Sequence, residues 1–139
     1  QPILDRHCVK CHSGAEPKDG RDLTAEPHKG FSRSYWALCG EDDFAGLNTN
    51  PEKAAAALVP RFGMRNQVQI TPPGGAYGAR GSRLMRMLRE GHNDVRLEPD
   101  EFRDLAKWID SNAIFFGVNL PEDQARQLRG EHVPMPALQ

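Results

Sequence analysis

The chain has 139 residues, one domain's worth, with 38% hydrophobic residues, 13 glycines and 11 prolines. A core drawn from so lean a composition is modest, and its connections are long. With 18 basic against 19 acidic residues the formal net charge is -1, so no broad basic field argues for nucleic acid, and no apolar run is long enough to span a bilayer.

In chain order, Pro2 to His7 predicts a short helix with Pro2 in its first turn. Ile3, Leu4, His7, Cys8 and Cys11 fall within about 140° of arc at 100° per residue, which gives that helix a face to bury. His7 is expected to pack or to hydrogen-bond.

Cys8-Val9-Lys10-Cys11-His12 follows. Two thiols and an imidazole at C-x-x-C-H spacing are what covalent attachment of a c-type haem requires. The cysteines would form thioethers with the haem vinyl groups and His12 would bind the iron as proximal ligand. On a helical turn, positions three and four apart share a face, so all three can reach one flat ring system. Two plainer readings compete: half of a zinc site completed by His12 and Cys39, and a redox-active dithiol. The zinc reading lacks a second close-spaced ligand pair, and the dithiol reading leaves His12 unexplained.

Ser13 to Gly30 is rich in glycine, proline and charge and predicts a loop around the haem edge, with His28 a surface residue and a remote distal-ligand candidate. Phe31 to Cys39 predicts a helix with aromatic packing, in which Tyr35 or Trp36 is expected in the core rather than on a haem propionate. Cys39, the leftover cysteine, is expected as a small buried hydrophobe, with an intermolecular disulfide as the alternative. Glu41-Asp42-Asp43 lacks the spacing of a calcium loop and predicts a solvated turn. Asn50 to Val59 predicts a helix capped by Asn50 and stopped by Pro60.

Pro72 to Gly81 predicts an irregular loop without the Gly-Lys-Ser/Thr ending of a phosphate cradle. Ser82 then caps a helix through Glu90, closed by Gly91. Leu84, Leu88, Met85 and Met87 occupy one side of it, and Arg83, Arg86, Arg89 and Glu90 the other. A distal haem ligand must come from sequence-distant chain, and His92, aimed by the freedom of Gly91, meets that description. Met85, Met87 and Met64 are its rivals, since methionine is the common distal ligand of small cytochromes; the wheel shows only that His92 is possible. Arg80 and Arg83 are weak candidates for the propionates, with solvated charge the plainer reading.

Leu97 to Glu101 begins the strongest predicted helix, with Pro99 near its first position and acids in the first turn. Phe102, Leu105, Ala106, Ile109 and Ala113 form its packing stripe, while Trp108 falls off it, as an exposed aromatic or a contact with another domain. Pro121 to Arg129 predicts a polar, peripheral helix. The expected architecture is mainly α, a small cytochrome c-like monohaem domain with short helices and long loops around one covalent haem. Residues 1–117 would form it and 118–139 a peripheral extension, or a linker to a larger parent protein.

Several stretches together resemble the planctomycete-type cytochrome c domains, including those in proteins similar to the alpha subunit of hydrazine synthase. They are Pro2 to His12, Asp22-Leu23-Thr24, Phe31 to Tyr35, Ser82-Arg83-Leu84, Gly91-His92-Asn93-Asp94-Val95 and Trp108 to Ala113. The resemblance implies a mostly helical haem c domain, often at the end of a larger extracytoplasmic protein, and it implies that His92 is the distal ligand, making the iron bis-histidine. Cys39 and the segment from Glu41 to Gly63 match no part of that pattern.

The expected function is therefore electron transfer, without enzymatic activity of its own, through a six-coordinate, low-potential haem c held by Cys8, Cys11, His12 and His92. Its partner would be a redox protein or a neighbouring redox domain. The alternative is a haem enzyme with an open sixth iron position acting on small nitrogen compounds or peroxide, which kinship alone does not establish. Haem c is attached outside the cytoplasmic membrane, so the expected location is periplasmic or otherwise extracytoplasmic. The absence of a leader before Gln1 leads us to expect a processed chain or an excised domain.

Overall fold

Proline at the first helical position and a backbone carbonyl four to five residues back decide where the first helix starts and how it ends. Pro2 opens α1 (Pro2–His7), and the backbone N–H groups of Cys8 and Val9 both donate to Leu4 O, at 2.8 and 3.0 Å. The computed structural model describes residues 1–40, 57–61, 77–129 and 131–134. Among these the fold is mainly helical, with one two-stranded antiparallel sheet, β1 (Pro27–His28) and β2 (Phe31–Ser32).

The loop after the C-x-x-C-H stretch holds a single 3-10 turn, Lys18–Gly20, before the small sheet. α2 (Arg33–Cys39) begins two residues later than predicted, because the Ser32 side chain accepts from Tyr35 N and acts as N-cap while Phe31 stays extended in β2. The end of the predicted 72–81 loop is helical: α3 (Gly78–Gly81) packs on α5 (Pro99–Asp110), where Asp110 Oδ1 accepts from Ala79 N at 2.7 Å. Gly78 is required there, since its φ is +69° and a Cβ would sit 3.1 Å from Asp110 Oδ1. α4 (Arg83–Glu90) and the polar α6 (Pro121–Leu128) follow the sequence expectations, and no residue of α6 is buried. Gln127 of α6 nonetheless accepts from Gly117 N at 3.2 Å. The helix predicted over 50–59 and the turn at Glu41 to Asp43 lie outside the described residues, except that Ala57, Leu58 and Val59 are non-helical.

One apolar cluster joins Leu4 of α1, Leu23, Tyr35, Leu38 and Cys39 of α2, Leu58, Val59, Leu84 and Met85 of α4, Leu105 and Ile109 of α5, and Ala113. The buried run 57–61 threads its middle. Val59 N donates to Leu38 O at 2.9 Å, and Leu84 N donates to Leu58 O at 3.1 Å. Ser82, 0% exposed, donates its hydroxyl to Leu58 O at 2.9 Å and accepts from Met85 N. It thus ties the start of α4 to the buried run and caps the helix with one oxygen. Ser82→Ala removes both bonds at a fully buried position, and we expect it to lower the unfolding free energy by about 1–2 kcal/mol. Urea denaturation, with an unchanged m-value, checks it.

Phe31, Tyr35, Phe115 and Phe116 form an aromatic nest at the other end of the core, with Phe31 and Phe115 centroids 5.1 Å apart and edge-on. Trp108 belongs to it. Its indole N–H donates to Ile114 O at 3.0 Å and its ring lies 6.5 Å from Tyr35. The sequence placed Trp108 off the helix stripe, facing solvent or another domain. The turn after α5, where Asn112 and Ala113 take φ of 61° and 48°, brings the chain back over it and partly buries it.

Candidate functional site

Cys8 ends α1 and starts a second turn in which Cys11 N and His12 N both donate to Cys8 O, at 3.1 and 3.0 Å. The 13–23 loop folds back on this turn: Lys18 N donates to Cys11 O at 3.1 Å and Leu23 N to His12 O at 2.8 Å. The thiols are free and partly exposed. Burial and then the neighbouring Cys11 push the Cys8 thiol above its ordinary range, so it rests protonated near neutral pH.

His12 is oriented from its far nitrogen. Nδ1–H donates to Lys18 O at 3.0 Å, which leaves Nε2 as the ring's lone-pair atom. Metal-bound imidazoles are commonly fixed by such a carbonyl bond.

His92 arrives by a different route. α4 ends at Gly91, whose φ of +99° lets the chain leave the helix at an angle no side-chain-bearing residue adopts cheaply. His92-Asn93-Asp94-Val95 is then a tight turn: Asn93 and Asp94 both take positive φ, 45° and 62°, and Val95 N donates to His92 O at 2.9 Å. Positive φ at both central positions is the type I′ pattern, which Asn and Asp tolerate best among side-chain-bearing residues. Asn93 Nδ2 lies 3.4 Å from His92 Nε2, the weak limit of a hydrogen bond.

The two turns bring the His12 and His92 rings near each other. Their ring centroids are 6.1 Å apart and their planes 22° from parallel. Imidazoles binding one metal ion from opposite sides at ~2 Å per nitrogen have centroids about 6 Å apart. That separation and the near-parallel ring planes fit an iron-centred group with one imidazole on each side, with Nε2 the lone-pair atom of His12 and Cys8 and Cys11 within one turn of it.

The remaining candidates go elsewhere. Met85 is 1% exposed in the core cluster and Met87 packs partly buried against it, so packing accounts for both; Met64 lies outside the described residues. His7 bonds the Glu101 carboxylate at 3.0 and 3.2 Å, as a non-ligand should. His28 offers its carbonyl to the Trp36 indole at 2.8 Å, and the Tyr35 hydroxyl donates to Ala113 O at 3.1 Å, so both aromatic donors are spent on backbone. Cys39 is 0% exposed and burial drives its thiol to about 12, which makes it an inert packing group out of reach of an intermolecular disulfide in this fold. Among the described residues no group of three or more His, Cys, Asp and Glu side chains is arranged to hold a metal, so the zinc set with Cys39 is not assembled. Arg80 and Arg83 are exposed.

A cleft of about 670 Å³ lies between α1, α2, α5 and α6 and is lined by Ile3, Leu4, Tyr35, Leu105, Trp108 and Phe115 among others. It includes none of Cys8, Cys11, His12 and His92. Its mostly apolar lining holds no histidine or cysteine among the described residues, so the histidine pair is the better site.

Sequence reasoning missed the clamp that sets α1 against α5. Glu101 accepts from Arg6 at 2.6 and 3.0 Å, from His7 and from Glu98 N at 3.0 Å. The backbone N–H of Glu98, then Arg6, and to a lesser degree His7 hold its carboxyl at about 2. The signal was the Glu98-to-Glu101 capping-box spacing. Because the folded value is depressed, the clamp's stabilisation is present above the unfolded value near ~4.3 and is lost as pH falls toward the folded value of about 2. Glu101→Gln should therefore flatten the fall in melting temperature between pH 5 and pH 2, read by thermal denaturation across that window; an equally steep fall in the variant would remove Glu101 as its source.

Comparison of the chain with models of protein families, with curated proteins and with solved structures finds no match in any of the three.

Proposed function

We propose that the chain carries one covalent haem c on Cys8 and Cys11, with His12 and His92 on opposite faces of the iron, and that it works as a one-electron relay. The observation that carries the reading is the pairing of His12 with His92 at 6.1 Å and 22°, two imidazoles far apart in sequence that separate local devices aim at each other. When bound, haem supplies an iron that cycles between ferric and ferrous states by one electron.

The chain's own residues do the rest. Cys8 and Cys11 fix the ring system to the end of α1. Lys18 O keeps His12 in the tautomer that presents Nε2 and raises its basicity as a ligand. The Gly91 bend and the 92–95 turn present the second imidazole, whose Nε2 makes only a weak contact with Asn93 and would be the atom to hold the iron. Two histidine ligands leave no vacant position for a substrate, and two nitrogen donors favour a lower potential than a histidine and methionine pair. A redox partner protein or neighbouring redox domain follows from that role, as does an extracytoplasmic location, where haem c is attached.

The test is the mass of the intact protein under denaturing conditions, after production in a host that attaches haem c. One haem retained through denaturation is expected; the bare polypeptide mass would refute attachment.

A further inference from the structure

We propose that the arginine face running from α3 along α4 is the docking surface for an acidic redox protein that exchanges electrons beside His92. The choice of a redox protein rests on the relay reading above; the surface itself rests on the fold. α4 buries Leu84 and Met85 and leaves Arg83, Arg86 and Arg89 exposed on its other side. Arg80 on α3 and Arg96 just beyond the 92–95 turn are exposed as well. Among the described residues no carboxylate pairs with Arg80, Arg86, Arg89 or Arg96, and only Glu90 and Asp94 interrupt them in sequence. Several other exposed cations are paired, among them Arg6 with Glu101, Arg103 with Asp100 and Lys107 with Asp104.

A positive strip on a chain whose net charge is -1 is a local field and not a general one. It continues along the chain through Gly91 into His92, and Arg89 and Arg96, together with Glu90 and Asp94, line the same recess of about 630 Å³ as His92. A partner drawn to it arrives where the electron would leave. Charge complementarity of this kind governs encounter rate and orientation, and long-range steering fades as salt screens it. An anionic membrane is a poorer occupant, because adsorbed helices place apolar side chains beside their cations and those of α4 face the core. Nucleic acid is poorer too, since the basic field does not extend over the molecule.

The test titrates the whole protein with a Glu-rich peptide by calorimetry at low and at 300 mM salt, beside the double variant Arg80→Glu with Arg86→Glu. Binding that weakens roughly tenfold with salt, and by a similar factor in the variant, is expected. In parallel, the reduced protein passes one electron to hexacyanoferrate(III), an anionic probe reduced to hexacyanoferrate(II). Its rate should fall with salt and fall again in the variant, whose absorption spectrum stays unchanged. Peptide binding that is absent, or unaffected by the two substitutions, overturns the proposal, as does tighter binding to anionic vesicles or duplex DNA than to the peptide. A protein found to lack haem ends the redox assignment of the partner, while the titration still decides the surface.

Discussion

His92→Ala is expected to convert the oxidised protein from a low-spin to a high-spin absorption spectrum and to open the iron to carbon monoxide in the reduced state. His92 is partly buried in a surface turn, and its ring packs on His12 alone among aromatic neighbours in the described residues. If His92 binds the iron, its truncation also removes a bond made only in the folded state, so the haem-loaded variant should unfold more readily than the parent, and the change of spin state in the still-folded protein marks the ligand. Met85→Leu is the complementary control. Met85 sits deep in the core, so a volume-conserving swap should cost less than ~1.5 kcal/mol and leave the spectrum as it was. A high-spin Met85→Leu beside a low-spin His92→Ala would reverse the assignment of the distal face.

The second large effect is expected from Cys8→Ala with Cys11→Ala. Covalent attachment should vanish, so that acidified organic solvent extracts all the haem instead of none, and the denatured mass drops to that of the polypeptide. Both thiols are free and accessible, and their turn is closed by backbone bonds from Cys11 N and His12 N to Cys8 O, which alanine keeps. The peptide geometry around His12 should survive, so a loosely held, six-coordinate haem in the double variant is the expected intermediate result. Haem that resists extraction after both substitutions would contradict the assignment of these cysteines.

Most of what positions the site could be read from local chemistry. Pro2 at a helix start, Ser82 before an amphipathic run and Gly91 after it mark α1 and α4 because the physics of capping acts within a turn of the residue concerned. The Asn93-Asp94 pair also carried a local message, a turn with two positive φ angles, which sequence reading passed over while extending the helical wheel to His92. The wheel placed His92 above the apolar side of α4; the turn instead carries it across to His12. Long-range pairings were the illegible part. Nothing in the order of residues says that Glu101 will collect Arg6 and His7, that Ser82 will find Leu58 O, or that Trp108 will be covered by the chain that follows it. Each of these depends on how two elements cross, which propensity does not determine.

The pairing of His12 with His92 is tested most directly by electron paramagnetic resonance of the oxidised protein. Two imidazoles 22° from parallel across one ferric iron predict a low-spin signal of the rhombic type given by near-parallel ligand planes. A high-spin signal, or a haem signal absent altogether, would contradict the account.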